Sequence, residues 1–168
     1  MLVVRRRVIL ISAVAVFVCV VIAGAWAASW VLGVRVWRDS VSRRIAERVA
    51  SDDGRPIDLT ELADFDWDRV YCFDCYSGQG EIEKRLGFKW PGLGGSEIEM
   101  SEGVTLIVFV KDGRVVRSFD QPRNAGDFGG IDNPGGLSRS EARFVVSRKD
   151  GHSYLKLVGR TEATRLPG

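Results

Sequence analysis

The sequence predicts an α+β domain behind a single membrane-spanning helix, the domain being an antiparallel sheet of about five strands with one or two short helices. Three observations predict it. An uncharged apolar run fills Val8 to Val34. Two β-branched and aromatic segments fold back at Lys111-Asp112-Gly113 and Lys149-Asp150-Gly151, the Asp-Gly signal of a tight hairpin. Apolar residues also recur four apart around Val41, Ile45 and Val49, and again at Ile82 and Leu86, which is helical spacing.

The apolar run follows Arg5-Arg6-Arg7. At 27 residues it makes a helix of roughly 40 Å, where a bilayer core needs about 20 residues. Ala25-Trp26-Ala27 is also a signal-cleavage triplet. The run continues past it through Trp30, Val31, Leu32 and Val34, so an uncleaved anchor is expected, with cleavage and secretion as the alternative. Cys19 follows Val16-Phe17-Val18 and reads as a small apolar side chain within the span rather than a lipid carrier. Arginines flank both ends, and charge alone does not orient the helix. A short tri-arginine tail is hard to translocate, whereas a long domain crosses largely regardless of charge. The expected orientation is therefore N-terminus inside and domain outside the cytoplasm, with a cytoplasm-facing domain as the alternative.

The expected organisation is a basic tail over 1–7, the span over 8–34, a juxtamembrane helix and linker over 35–56, the α+β domain over 57–160 and a flexible tail over 161–168. All 22 acidic residues but only 20 of the 24 basic ones lie from Arg38 onward. The domain is thus near neutral, and a nucleic-acid partner loses its electrostatic support.

Asp39-Ser40 opens the amphipathic segment carrying Val41, Ile45 and Val49. It reads as a linker helix laying one stripe on the domain, or as a continuation of the spanning helix. Ser51-Asp52-Asp53-Gly54-Arg55-Pro56 breaks it with turn chemistry. A helical turn is expected near Thr60-Glu61-Leu62, a strand over Trp67 to Phe73 and a helix over Gln79 to Leu86 stopped by Gly87. Val104 to Val110 is almost continuously apolar, as a central strand covered on both faces requires. Arg114 to Phe119, Ala142 to Ser147 and Ser153 to Val158 complete the hairpins. Gln121 to Ser140 is rich in Gly, Pro and Asn and is expected to be a long irregular loop, a common place for function.

The block Phe65-Asp66-Trp67-Asp68-Arg69-Val70-Tyr71, with Tyr76, Ile82, Leu86-Gly87-Phe88 and the later Leu-Ile-Val-Phe-Val-Lys-Asp-Gly-Arg-Val-Val, resembles a group of small, uncharacterised bacterial proteins held at membranes by a spanning helix or a lipid. The resemblance covers about Leu59 to Phe128 and implies a fold and a location, without an activity. Where that group is expected to read Pro-Tyr, this chain has Cys75-Tyr76. More distantly, a helix ending in Leu-Gly before an antiparallel sheet is similar to the small lipoproteins of outer-membrane assembly and to β-lactamase-inhibitor-like modules.

Candidate chemistry is sparse. Cys72-Phe73-Asp74-Cys75 is a C-x-x-C whose readings are a local disulfide, two free thiols, a redox pair or a metal site. The predicted helix begins several residues beyond Cys72, and no histidine cluster or second C-x-x-C completes a zinc site. Asp64, Asp66 and Asp68 alternate with Phe65 and Trp67, a wet acidic edge with arginine partners rather than a Ca²⁺ loop. His152, the single histidine, reads as a turn residue, and the glycines at 92, 94 and 95 lack phosphate-loop spacing.

No metal or cofactor is expected. The function expected is therefore a membrane-tethered, non-enzymatic, extracytoplasmic interaction module that binds another envelope or membrane protein. Its expected surface is the Gln121 to Ser140 loop with Trp67, Trp90, Phe128 and Asp132. The alternative is an envelope thiol-redox factor using Cys72 and Cys75.

Overall fold

A computed structural model describes residues 39–131 and 133–159. The run from Val8 to Val34, Asp132 and the tail from Arg160 lie outside the described residues. Among those described, no helix is long and apolar enough to cross a membrane.

Helix α1 (Ser40–Ser51) starts abruptly. Asp39 is extended, with φ −92° and ψ 131°, and its carboxylate accepts from the Val41 N–H at 2.8 Å. That cap ends the helix on its N-terminal side, so α1 is a separate element rather than a prolongation of a helix arriving from upstream. Its stripe Val41, Ile45 and Val49 is buried. The chain divides into two units between Trp37 and Arg38, and α1 belongs to the second. The stripe expected to lie on the domain is thus part of its core.

Strand β1 (Ile57–Asp58) leads into the single-turn helix α2 (Leu59–Leu62), capped by Asp58. Then come β2 (Arg69–Phe73), helix α3 (Gln79–Leu86), a 3-10 turn at Pro91–Gly95, β3 (Val104–Lys111), β4 (Arg114–Pro122), a second 3-10 turn at Arg123–Ala125, and β5 (Leu137–Ser138). β6 (Arg143–Lys149) and β7 (His152–Leu157) close the order. Helix α3 has the expected bounds, and Gly87 at φ 81° accepts the left-handed stop. Both Asp-Gly turns form, with Asp112 at φ 48° and Asp150 at φ 51°. These angles match the two-residue hairpin whose twist suits the flanking strands.

The strands form two sheets, not the one of about five strands expected. One has the order β4-β3-β2-β5 and the other β1-β6-β7, all pairings antiparallel. The reason is visible at β2. Its outer edge pairs with β5 at Arg69 and Val70. Beyond that, Arg85 Nη2 donates to the Cys72 carbonyl at 3.1 Å and Asn133 Nδ2 to the Val70 carbonyl at 3.5 Å. No place remains there for the β6–β7 hairpin, which pairs instead with β1.

The four-stranded sheet is covered on both faces, as the apolar run of β3 demands. Ile107 and Phe109, with Val70 and Cys72 of β2, face a first core closed by α1, Trp67, Phe128, and Phe144 and Leu155 of the other sheet. Leu106, Val108 and Val110, with Tyr71 and Phe73, face a second core closed by Ile82, Leu86, Leu93 and Ile98. Period-two alternation sends successive side chains to opposite cores.

The stretch expected as an irregular loop is tied down along its length. β4 runs on to Pro122. The Asp127 N–H donates to the Ser153 carbonyl at 2.9 Å, and the Asp127 carbonyl accepts from Leu155 at 2.8 Å. Phe128, Asn133 and Leu137 are buried.

Candidate functional site

After Phe73 the chain turns through Asp74-Cys75-Tyr76 before α3. The Asp74 carboxylate accepts from the Cys75 N–H at 2.9 Å. Tyr76 follows in the left-handed region at φ 65°, which is strained for a bulky side chain. Its N–H donates to the Ile98 carbonyl at 2.8 Å, and its hydroxyl donates to Glu102 Oε1 at 2.6 Å. The ring is therefore laid along the Ile98–Glu102 turn and stays 59% exposed. That bond to a carboxylate holds the phenol above its ordinary pKa.

At the tip of the same turn stands Met100, 85% exposed. The turn is anchored from below by buried Ile98. From the side, Asp120 accepts from the Glu97 N–H at 2.8 Å. Glu99 Oε1 accepts from the Gln79 N–H at 3.3 Å. It supplies the N-terminal cap that Gly78 lacks a side chain to make. Tyr76, Met100 and the carboxylates of Glu97, Glu99 and Glu102 thus form one rim on a fixed turn.

Beside the rim lies Arg123. Its Nε donates to Asp127 Oδ1 at 2.9 Å, its Nη1 stands 3.6 Å from Asp74 Oδ1 and 3.9 Å from Cys75 Sγ. β4 carries this cluster away from its hairpin: Arg123 donates its N–H to the Gly103 carbonyl, at the sheet end opposite the Asp112-Gly113 turn. Asp39, where the described chain begins, pairs with Arg117 at 2.9 Å, and Arg117 registers with Phe109 on the hairpin half of β4.

The residues singled out from sequence separate into different environments. Cys72 and Cys75 are free thiols in the structure, not a disulfide. Cys72 is buried in the first core, where desolvation pushes its thiol up to about 12; Cys75 lies half-buried by Arg123. Trp67 and Phe128 are each 1% exposed and cannot offer a contact surface. Both are core residues, Trp67 edge-on to Phe109 at 5.2 Å and Phe128 edge-on to Phe144 at 5.1 Å. Trp90 is half-buried against the second core, its N–H donating to Glu83 Oε1 at 3.1 Å. Asp132 is outside the described residues.

Two of the three alternating aspartates, Asp64 and Asp68, have structural partners. Arg44 meets Asp64 at 3.0 Å and lowers its pKa. Asp68 accepts from the Asp112 N–H at 2.8 Å, which lowers its pKa more than nearby Lys111 does, and so fastens the β3–β4 turn. Among the described residues no three metal-ligating side chains converge. His152 is exposed at the start of β7. Sequence reasoning missed Met100, Glu102 and Arg123; the one available signal was an isolated methionine among three glutamates in Glu97 to Glu102. Comparison with protein-family models, curated proteins and solved structures finds no match for this chain.

Proposed function

We propose that this protein is a membrane-tethered, non-enzymatic module that recognises another envelope or membrane protein, with the Tyr76–Met100 rim as its contact surface. The apolar run Val8 to Val34 supports the tether, and the domain is read as lying outside the cytoplasm. Tyr76 carries the proposal. A left-handed tyrosine pinned at both backbone and hydroxyl is strain spent to present an exposed ring. Tyrosine and methionine are enriched at protein interfaces. The thiol-redox alternative draws no support from the geometry, because a thiol with Cys72's raised pKa forms no attacking thiolate at neutral pH.

The test is site-specific photocrosslinking of the full chain in its native membranes. Benzophenone at Met100 is expected to give a discrete crosslinked protein that the same probe at Arg114, on the hairpin end, does not. No Met100-specific product, or equal products from both positions, sinks the proposal.

A further inference from the structure

The rim's charge indicates the chemistry of what sits on it. Glu97, Glu99 and Glu102 form no ion pair among the described residues, whereas Asp39, Asp52, Asp53 and Asp64 each meet an arginine. Two of the three rim carboxylates are held in place, Glu99 by capping α3 and Glu102 by the Tyr76 hydroxyl. They flank Met100 at one residue before and two after, so an apolar anchor stands between fixed negative charges. Arg123, whose Nη1 donates to the Glu102 carbonyl at 3.4 Å, is already shared between Asp127 and Asp74. The exposed Tyr76 ring adds a π-face that attracts ammonium or guanidinium groups.

Resting on the interaction-module reading above, we propose that the rim binds a basic segment of a protein partner, in which lysine or arginine side chains flank an apolar one. The apolar group packs on Met100 and Tyr76, and the cations meet Glu97, Glu99, Glu102 and the Tyr76 face. Exposed pairs of this kind are individually weak and screened by salt. Their arrangement around one anchor supplies selectivity for charge sign.

The full chain in phosphatidylcholine nanodiscs, with empty nanodiscs subtracted, is titrated with a lysine/leucine, a lysine/serine and a glutamate/leucine peptide. The lysine/leucine peptide is expected to bind best, to weaken as salt rises, and to crosslink to benzophenone at Met100. The Glu97→Gln/Glu99→Gln/Glu102→Gln variant is expected to lose about tenfold in affinity. Glu97→Gln alone, which changes a side chain that makes no hydrogen bond or ion pair among the described residues, is expected to lose part of it. Equal binding of the glutamate/leucine peptide, or undiminished binding by both variants, overturns the charge inference. Equal binding of the lysine/serine peptide overturns the apolar anchor, and a crosslinked homodimer overturns the basic partner in favour of a second copy. If the Met100 crosslink in native membranes survives the triple variant unchanged, the module reading stands and the basic partner falls. If that native crosslink is absent in the unaltered chain, both fall together.

Discussion

Cys72 and Cys75 stand three positions apart and face different media. Cys72 is on an inward position of β2 with its thiol pushed up to about 12 by burial, while Cys75 is in the turn, partly open, next to Arg123. Alkylation of the native full chain at pH 8, followed by peptide mapping, is expected to label Cys75 and leave Cys72 unlabelled; both label in denaturant. The sign follows from the direction of the shift. The Cys72 thiol is neutral until pH approaches about 12, so raising pH from 7 to 9 does not open Cys72 to alkylation. Equal rates at the two cysteines contradict the placement. The spacing was legible in the sequence, but the environment was not, because a C-x-x-C pattern does not say which cysteine lies on a strand's inner face. Trp67 and Phe128 misled for the same reason: an aromatic in a polar stretch reads as exposed until the tertiary partners, Phe109 and Phe144, are known. The Asp-Gly turns were legible to the residue, since their backbone angles follow from local chemistry alone.

At the scale of the element, α1 separates a stalk from a core component. Its four-residue apolar spacing was readable, and so was the Asp39 cap. What it packs on was not, because its partners Phe128, Phe144 and Leu155 are remote in sequence. Ile45 is fully buried, so Ile45→Ala is expected to cost about 2–5 kcal/mol. Arg43→Ala, on the wet face with its side chain 62% exposed, is expected to stay within about 0.5 kcal/mol. Urea denaturation of the full chain in detergent micelles measures both. Two changes of equal, small size make α1 a linker and remove it from the core. Element pairing shows the same limit. Apolar, β-branched and aromatic runs and the two Asp-Gly turns located every long strand, yet a short strand such as Leu137–Ser138 offers no such run to read, and it is the one that occupies the β2 edge. That occupancy sends the β6–β7 hairpin to a second sheet. On the far edge, β4 is bulged where Val116 has no partner between Val115 and Arg117, and a bulge beside exposed arginines discourages edge-to-edge pairing.

For the molecule as a whole, one sheet separates two cores of unequal size. Among the described residues, sixteen buried side chains make the first and nine the second. The first joins α1, both sheets and the Gln121–Ser140 stretch; the second is roofed only by α3 and the segment from Pro91 to Met100. Free energy of local opening tracks such packing. The roof can therefore open without breaking the first core, while β3, bonded on both edges and covered on both faces, opens only with global unfolding. Leu86→Ala removes buried volume from the second core alone. In native-state hydrogen exchange of the full chain, it is expected to speed amides of α3 and of the Ile98–Gly103 turn. Those of β6 and β7 are expected to keep their rates. Equal acceleration of β6 and β7 means that the two cores open as one unit. The rim belongs to this roof through Ile98, whose side chain is in the second core and whose carbonyl holds Tyr76. The surface proposed for recognition thus stands on the layer that opens most cheaply. Crosslinking at Met100 should accordingly weaken in Leu86→Ala and persist in Ile45→Ala under conditions where that chain remains folded.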